Sequence, residues 1–290
     1  MADGLTSLPI AEEMLAAASE SGLDLRAVLD GDDEQLRATE IAQPALLLVE
    51  CALRSTLSSE LDVVAVAGHS VGEYAAAVAA GALAPADAMR VVVERGRAMA
   101  SMREGTMSAL LGIDADAASE VCGDAERETG EIVVVANHNA PGQLVISGTR
   151  AGVDAAARLA MERGARRVIP LNVSGAFHSP LMTAAATRFA QTLDAATVSD
   201  PLPPVVCNVD GLPVRSASEL RERLRAQLTA PVRWIDCVQS LVELGAETLI
   251  EVGPCAVLSG LARRIVPGTP TVSVSSAEAG ARLDPAMVAG

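Results

Sequence analysis

Apolar positions along this chain keep two rhythms, helical spacing and short unbroken runs, and the switches between them mark the elements. Ile10 to Ala18 and Pro44 to Ser55 have helical spacing, and the second is expected to open at its proline. The β-branched run DVVAVAG predicts a buried strand over Val63 to Ala67. GHSVG makes a sharp turn after it. Helix is expected again over Glu73 to Ala80 and, past Gly81, from Pro85 to Ser101.

From Thr106 the rhythm changes. MSALLGI predicts a strand and DADAASEVCGDAERE a helix; EIVVVANHN and GQLVISG predict two strands joined by a turn; GVDAAARLAMERG predicts a helix and RRVIPLNV a strand. That βαββαβ order is the ferredoxin-like split unit. Beyond it, Ser179-Pro180 is a helix-opening pair leading into LMTAAATRFAQTLDAA. PVVCNV and ETLIEVG predict strands, and SASELRERLRAQLTA, WIDCVQSLVELG and LSGLARRIV predict helices. The pattern is that of an α/β fold with a parallel sheet in residues 1–104 and 175–275. Residues 105–174 form an inserted small subdomain, and the patternless stretch 276–290 is expected to be a loose tail.

Composition narrows the function. Half of the 290 residues are hydrophobic, so a sizeable core can be buried. No apolar run is long enough to span a bilayer, and MADGLTSLPIAEEM lacks the marks of a signal peptide. The five cysteines are scattered, with no CxxC pair. Metal and redox readings are therefore weak, and a reducing cytoplasm fits best. The net charge is −15, and the 22 basic residues are all arginine. Such a surface repels nucleic acid and anionic lipid.

Gly68-His69-Ser70-Val71-Gly72 fits GxSxG in its required setting, after a strand and before a helix. The turn lifts the Ser70 hydroxyl to a helix N-terminus, where the Val71 amide can meet an oxyanion. A serine nucleophile needs a base. Of three histidines, His69 is expected to pack and His138 to lie in a solvated hairpin turn. His178, in SGAFHSP between a strand end and a helix start, is the candidate base. On the Pro85 to Ser101 helix, Met89, Val92, Val93, Gly96 and Met99 share one face, and Arg90, Glu94 and Arg97 lie opposite. Arg95 falls on the apolar half. It is either a snorkelling side chain or a bidentate clamp for a substrate carboxylate.

GHSVGEYAAAVAAGAL, ERGRAM, NHNAPGQLVISG, GAFHSPLM, CNVDG, QLTAPVRW and EVGPCAVLSGLARRI occur in that order. Together they resemble the malonyl-CoA:acyl-carrier-protein transacylases and the acyltransferase domains of polyketide synthases. The resemblance runs from about Leu5 to Val274. It implies an α/β-hydrolase-like large subdomain with a ferredoxin-like insert. It also implies ping-pong malonyl transfer from malonyl-CoA to the phosphopantetheine thiol of an acyl carrier protein. Ser70 would be the nucleophile and His178 the base, with the main-chain carbonyl of Gln227 orienting His178 and Val71 giving an oxyanion amide. Arg95 would hold the malonyl carboxylate. Asn139 matches a polar residue near the pocket, and Phe177 resembles the malonyl selectors. No metal or redox cofactor is implied. An acidic carrier would need a local basic patch, for which Arg163, Arg166, Arg167, Arg263 and Arg264 are candidates. The family's opening strand and GQGSQ-type loop have no counterpart here, and poor catalysis would follow. A serine hydrolase, the transacylase subunit of a malonate decarboxylase and an inactive remnant remain as alternatives.

Overall fold

The computed structural model describes residues 4–29 and 35–287. Three helices come first, α1 (Pro9–Glu20), α2 (Leu25–Leu29) and α3 (Thr39–Arg54). Proline opens α1, where a missing N–H is no loss, and Ala11, Met14, Leu15 and Ala18 are buried at helical spacing. The start expected at Pro44 is too late, because α3 begins at Thr39 and holds Pro44 inside it. A proline there removes one helical hydrogen bond. Leu47, Leu48, Ala52 and Leu53, each 0% exposed, supply packing that outweighs that loss.

The strand read over Val63 to Ala67 contributes a ladder only at β1 (Val66–Ala67), and α4 (Gly72–Ala79) and α5 (Pro85–Ala100) follow. At Gly96 of α5, an added Cβ would lie 2.9 Å from Glu40 Cα, so this glycine lets α5 close on α3.

The ferredoxin-like unit is present as read: β2 (Thr106–Leu111), α6 (Ala115–Thr129), β3 (Val133–Ala140), β4 (Gln143–Gly148), α7 (Arg150–Glu162) and β5 (Arg167–Pro170). Its strands lie in the order β3-β4-β2-β5, every pair antiparallel. Val121, Ala125, Leu144, Ile146, Val153 and Ala156 form its own core. His138, expected in a turn, lies within β3, where its N–H donates to Val232 O at 2.9 Å.

The chain then returns through α8 (Thr183–Ala195), β6 (Val205–Val206), β7 (Pro213–Val214), α9 (Ala217–Ala226), α10 (Trp234–Glu243), β8 (Leu249–Val252), α11 (Val257–Ile265), β9 (Thr271–Val274) and α12 (Ala277–Ala281). The last two correct the sequence reading. Strand β9 was not foreseen, and the expected loose tail holds α12, capped by the Ser276 side chain, with Gly280 buried against Thr56. Cys255 is exposed, whereas Cys51, Cys122, Cys207 and Cys237 are buried.

Strand β1 pairs parallel with β6, which pairs antiparallel with β7; β8 pairs parallel with β9. Among the described residues no ladder joins these two sheets. Between β1 and β8 lies an open cleft of about 700 Å³, walled by α3 and α4 and by α10 and α11. Among the described residues no helix is long and apolar enough to cross a membrane.

Candidate active site

The site begins where β1 ends. Gly68, His69, Ser70 and Val71 reverse the chain into α4, and the turn is closed by Gly72 N–H to His69 O at 3.0 Å and Glu73 N–H to Ser70 O at 3.2 Å. Gly68 has no substitute, because a Cβ there would lie 1.9 Å from Gly72 O. Ser70 sits at φ 52°, in the left-handed region that side chains disfavour. A second clamp comes from Asn208, just past β6, the ladder partner of β1. Its Oδ1 accepts from Ser70 N–H and its Nδ2 donates to Gly68 O, both at 2.8 Å.

His178 is 4% exposed and also holds a positive φ, 56°. Next to it, the Ser179 hydroxyl donates to Ala176 O at 2.6 Å and fixes the bend. His178 Nε2 lies 2.8 Å from Ser70 Oγ, and Nδ1 lies 3.0 Å from Gln227 O. A carbonyl can only accept, so Nδ1 carries the proton and Nε2 presents its lone pair to the serine hydroxyl. Gln227 caps the C-terminal end of α9, where carbonyls lack helical partners. Burial first, and then the charge of Arg95, push the imidazole down to about 3, so it rests as a neutral base.

Arg95 does not snorkel; it is 1% exposed. Its Nη2 donates to Ser70 Oγ at 3.1 Å and to Gln227 Oε1 at 2.8 Å, its Nη1 donates to Gln43 Oε1, and its Cζ lies 5.6 Å from the centre of the Tyr74 ring. A buried cation within reach of the nucleophile can fix an anion beside it.

The remaining predicted residues divide. Val71 caps α4, and its amide donates to no group among the described residues. Phe177 is buried at 9% exposure in the core of the large part. Asn139 is engaged away from Ser70, its Oδ1 lying 2.8 Å from His69 Nε2, and the His69 ring meets Trp234 edge-on. Of the arginines, Arg163 pairs with Asp124 and Glu120, and Arg264 donates to Gln143 and to Pro141 O. Arg166, Arg167 and Arg263 are exposed, with no ion pair among the described residues.

Sequence reasoning missed three polar residues of the site: Gln43, Glu73 and Asn208, all buried. Glu73 directly follows the GxSxG glycine, and Asn208 lies in CNVDG, so position in the motifs was a usable signal for both. Gln43 sits before a helix proline and carried no signal. Burial pushes the Glu73 carboxyl up to about 7, against the hydrogen bonds it accepts. The large cleft reaches Gly68, His69 and Gly72 but is not lined by Ser70, His178 or Arg95. Among the described residues no group of three or more His, Cys, Asp or Glu is placed to hold a metal ion.

Comparison with known proteins identifies the family. The acyl transferase domain family matches residues 9–276. The malonyl CoA-acyl carrier protein transacylase of Bacillus subtilis is 44% identical over 255 residues, which is 87% of this chain and 80% of that protein. The solved structure of the transacylase of the same name from Coxiella burnetii superposes with a TM-score of 0.88 at 35% identity, covering 95% of this chain and 89% of that one. A malonyl-transacylase solved in complex with its type II polyketide-synthase acyl carrier protein superposes with a TM-score of 0.87 at 36% identity, covering 96% and 92%.

Proposed function

The chain belongs to the acyl transferase family, and on that premise we propose that Ser70 is the residue that carries the acyl group. The enzyme is a malonyl-CoA:acyl-carrier-protein transacylase: it moves malonyl from coenzyme A to the phosphopantetheine thiol of an acyl carrier protein. The fold is the α/β-hydrolase-like large subdomain with the ferredoxin-like insert of that family.

In the proposed route His178 Nε2 takes the Ser70 proton as Oγ attacks the thioester carbon. The negative charge that develops on the carbonyl oxygen faces the Val71 amide. The C–S bond then breaks, and His178 returns its proton to the departing CoA thiolate. In the second half the carrier thiol gives its proton to His178 and attacks the malonyl-serine ester, and Ser70 leaves with that proton. Gln227 O holds the Nδ1 proton throughout, so the imidazolium formed in each half keeps its orientation. Arg95 grips the free carboxylate of malonyl, and Phe177 helps to shape the acyl pocket. Asn139 supports the pocket from a distance, by fixing His69. No metal or prosthetic group enters this chemistry; the pantetheine arms arrive with the substrates. The free cysteines fit a cytoplasmic setting.

One observation carries the reading: a buried guanidinium 3.1 Å from a serine hydroxyl that is itself bonded to a neutral imidazole. A simple hydrolase needs the serine and histidine but has no use for a buried cation there. Intact-mass measurement after mixing with malonyl-CoA tests it, with acetyl-CoA as control. One malonyl adduct on Ser70, discharged by carrier protein, is the expected result. An adduct on another residue, or acetyl loading as fast as malonyl, would contradict it.

A further inference from the structure

We propose that Glu73 is a positioning residue for acyl selection: its carboxylate fixes which way the Gln227 side-chain amide faces, and so keeps Arg95 aimed at the substrate carboxylate. This rests on the assignment of Arg95 made above.

Gln227 does two separate things. Its main-chain oxygen holds His178, and its side-chain amide stands between the buried guanidinium of Arg95 and the buried carboxyl of Glu73. Oε1 accepts from Arg95 Nη2 at 2.8 Å. Nε2 donates to Glu73 Oε2 at 2.5 Å and to Ser70 O at 3.0 Å. An amide has two chemically different ends, and only one orientation serves this place. Turned over, its NH₂ would face the guanidinium, donor against donor, and its oxygen would face a carboxylate and a carbonyl. Glu73 is the stronger of the two acceptors that hold Nε2, being ionisable and 0% exposed. The same Oε2 accepts from Asn208 N–H at 3.3 Å. One carboxylate, on the first turn of α4, thus ties the end of α9 and the segment after β6 to the serine turn.

Two variants separate reach from charge. Glu73→Asp keeps the charge but withdraws the carboxylate by about 1.5 Å, one carbon–carbon bond. Glu73→Gln removes the charge but keeps an acceptor oxygen at the same reach. The readout is the ratio of kcat/KM for Ser70 loading by malonyl-CoA to that by acetyl-CoA. This ratio does not depend on the fraction of protein folded, so a merely structural defect leaves it unmoved. The expected result is a fall in the ratio of roughly tenfold or more in Glu73→Asp, the scale of one lost hydrogen bond to a charged group. Glu73→Gln should keep the ratio within about threefold, whatever its absolute rate. Gln227→Met, which keeps the main-chain oxygen and loses the amide, should lower the ratio like Glu73→Asp, and combining the two should lower it no further. An unchanged ratio in Glu73→Asp, an equal loss in Glu73→Gln, or additive losses in the double variant would overturn the proposal while leaving Arg95 in place. A wild-type enzyme with no preference for malonyl would overturn the assignment of Arg95, and this proposal with it.

Discussion

Ser70 and His178, joined by a 2.8 Å bond between Oγ and Nε2, are the two non-glycine residues of the described chain with positive φ, 52° and 56°. Each end of the hydrogen bond is delivered by backbone that side-chain-bearing residues disfavour by roughly 1–2 kcal/mol. The surrounding clamps hold both in place. Ser70→Ala should abolish the malonyl adduct. Ser70→Gly should abolish it too, yet unfold later in denaturant than Ser70→Ala, by about 1 kcal/mol, because glycine adopts φ 52° freely. Equal stability of the two would mean that the turn holds no strain.

Arg95 should matter in proportion to the substrate's negative charge. Removing one partner of a buried pair costs roughly 3–5 kcal/mol, or about two to four decades in rate. Arg95→Ala should therefore lose malonyl loading by about that factor and acetyl loading much less. An equal loss of both would assign Arg95 to stability alone.

Glu50 lines the cleft with its Oε2 shielded from solvent and unpartnered. Burial first, then repulsion from Glu251, raise its carboxyl to about 8. A carboxyl raised in the fold binds its proton more tightly than in the unfolded chain. Its contribution is fully present below the unfolded value, near 4.5, and is lost as pH rises through about 8. Glu50→Gln should leave Tm nearly unchanged at pH 5 and raise it above pH 8, by up to roughly 5 kcal/mol of stability. A Tm difference that is the same at both values would show Glu50 to be solvated.

Carrier docking should use the candidate arginines that make no ion pair among the described residues. Arg163 is occupied by Asp124 and Glu120, and Arg264 is held by Gln143 and Pro141 O, which leaves Arg166, Arg167 and Arg263. Reversing Arg166 and Arg167 to Glu should raise KM for the carrier severalfold, most at low salt, with malonyl loading of Ser70 unaffected. Unchanged carrier kinetics would move the docking surface elsewhere.

Most of the site's chemistry was legible because local sequence enforces it. GHSVG after an apolar run leaves few geometries open, and the helical phase of Arg95 placed it inward. What stayed hidden depends on chain pairing. Asn208 reaches Ser70 only because β6 lies beside β1, and Gln43 meets Arg95 only because α3 crosses α5 at Gly96. Strand β9 was missed for the same reason: it is a strand by virtue of its partner β8. The late start read for α3 was a local rule overridden by burial of Leu47, Leu48 and Leu53.

The cleft between β1 and β8 has a consequence for how the enzyme wears out. The serine turn hangs from a strand with a two-residue ladder on one side and open space on the other. Regions with few supporting hydrogen bonds open at a lower free energy than the whole fold. Backbone amides at Val66 and Ala67 should exchange with deuterium sooner than those of α5. On heating, the ability to load Ser70 should disappear several degrees before the helical signal does. The thermal lifetime of this catalyst is then set by the Asn208 clamp on its turn rather than by the melting of its core.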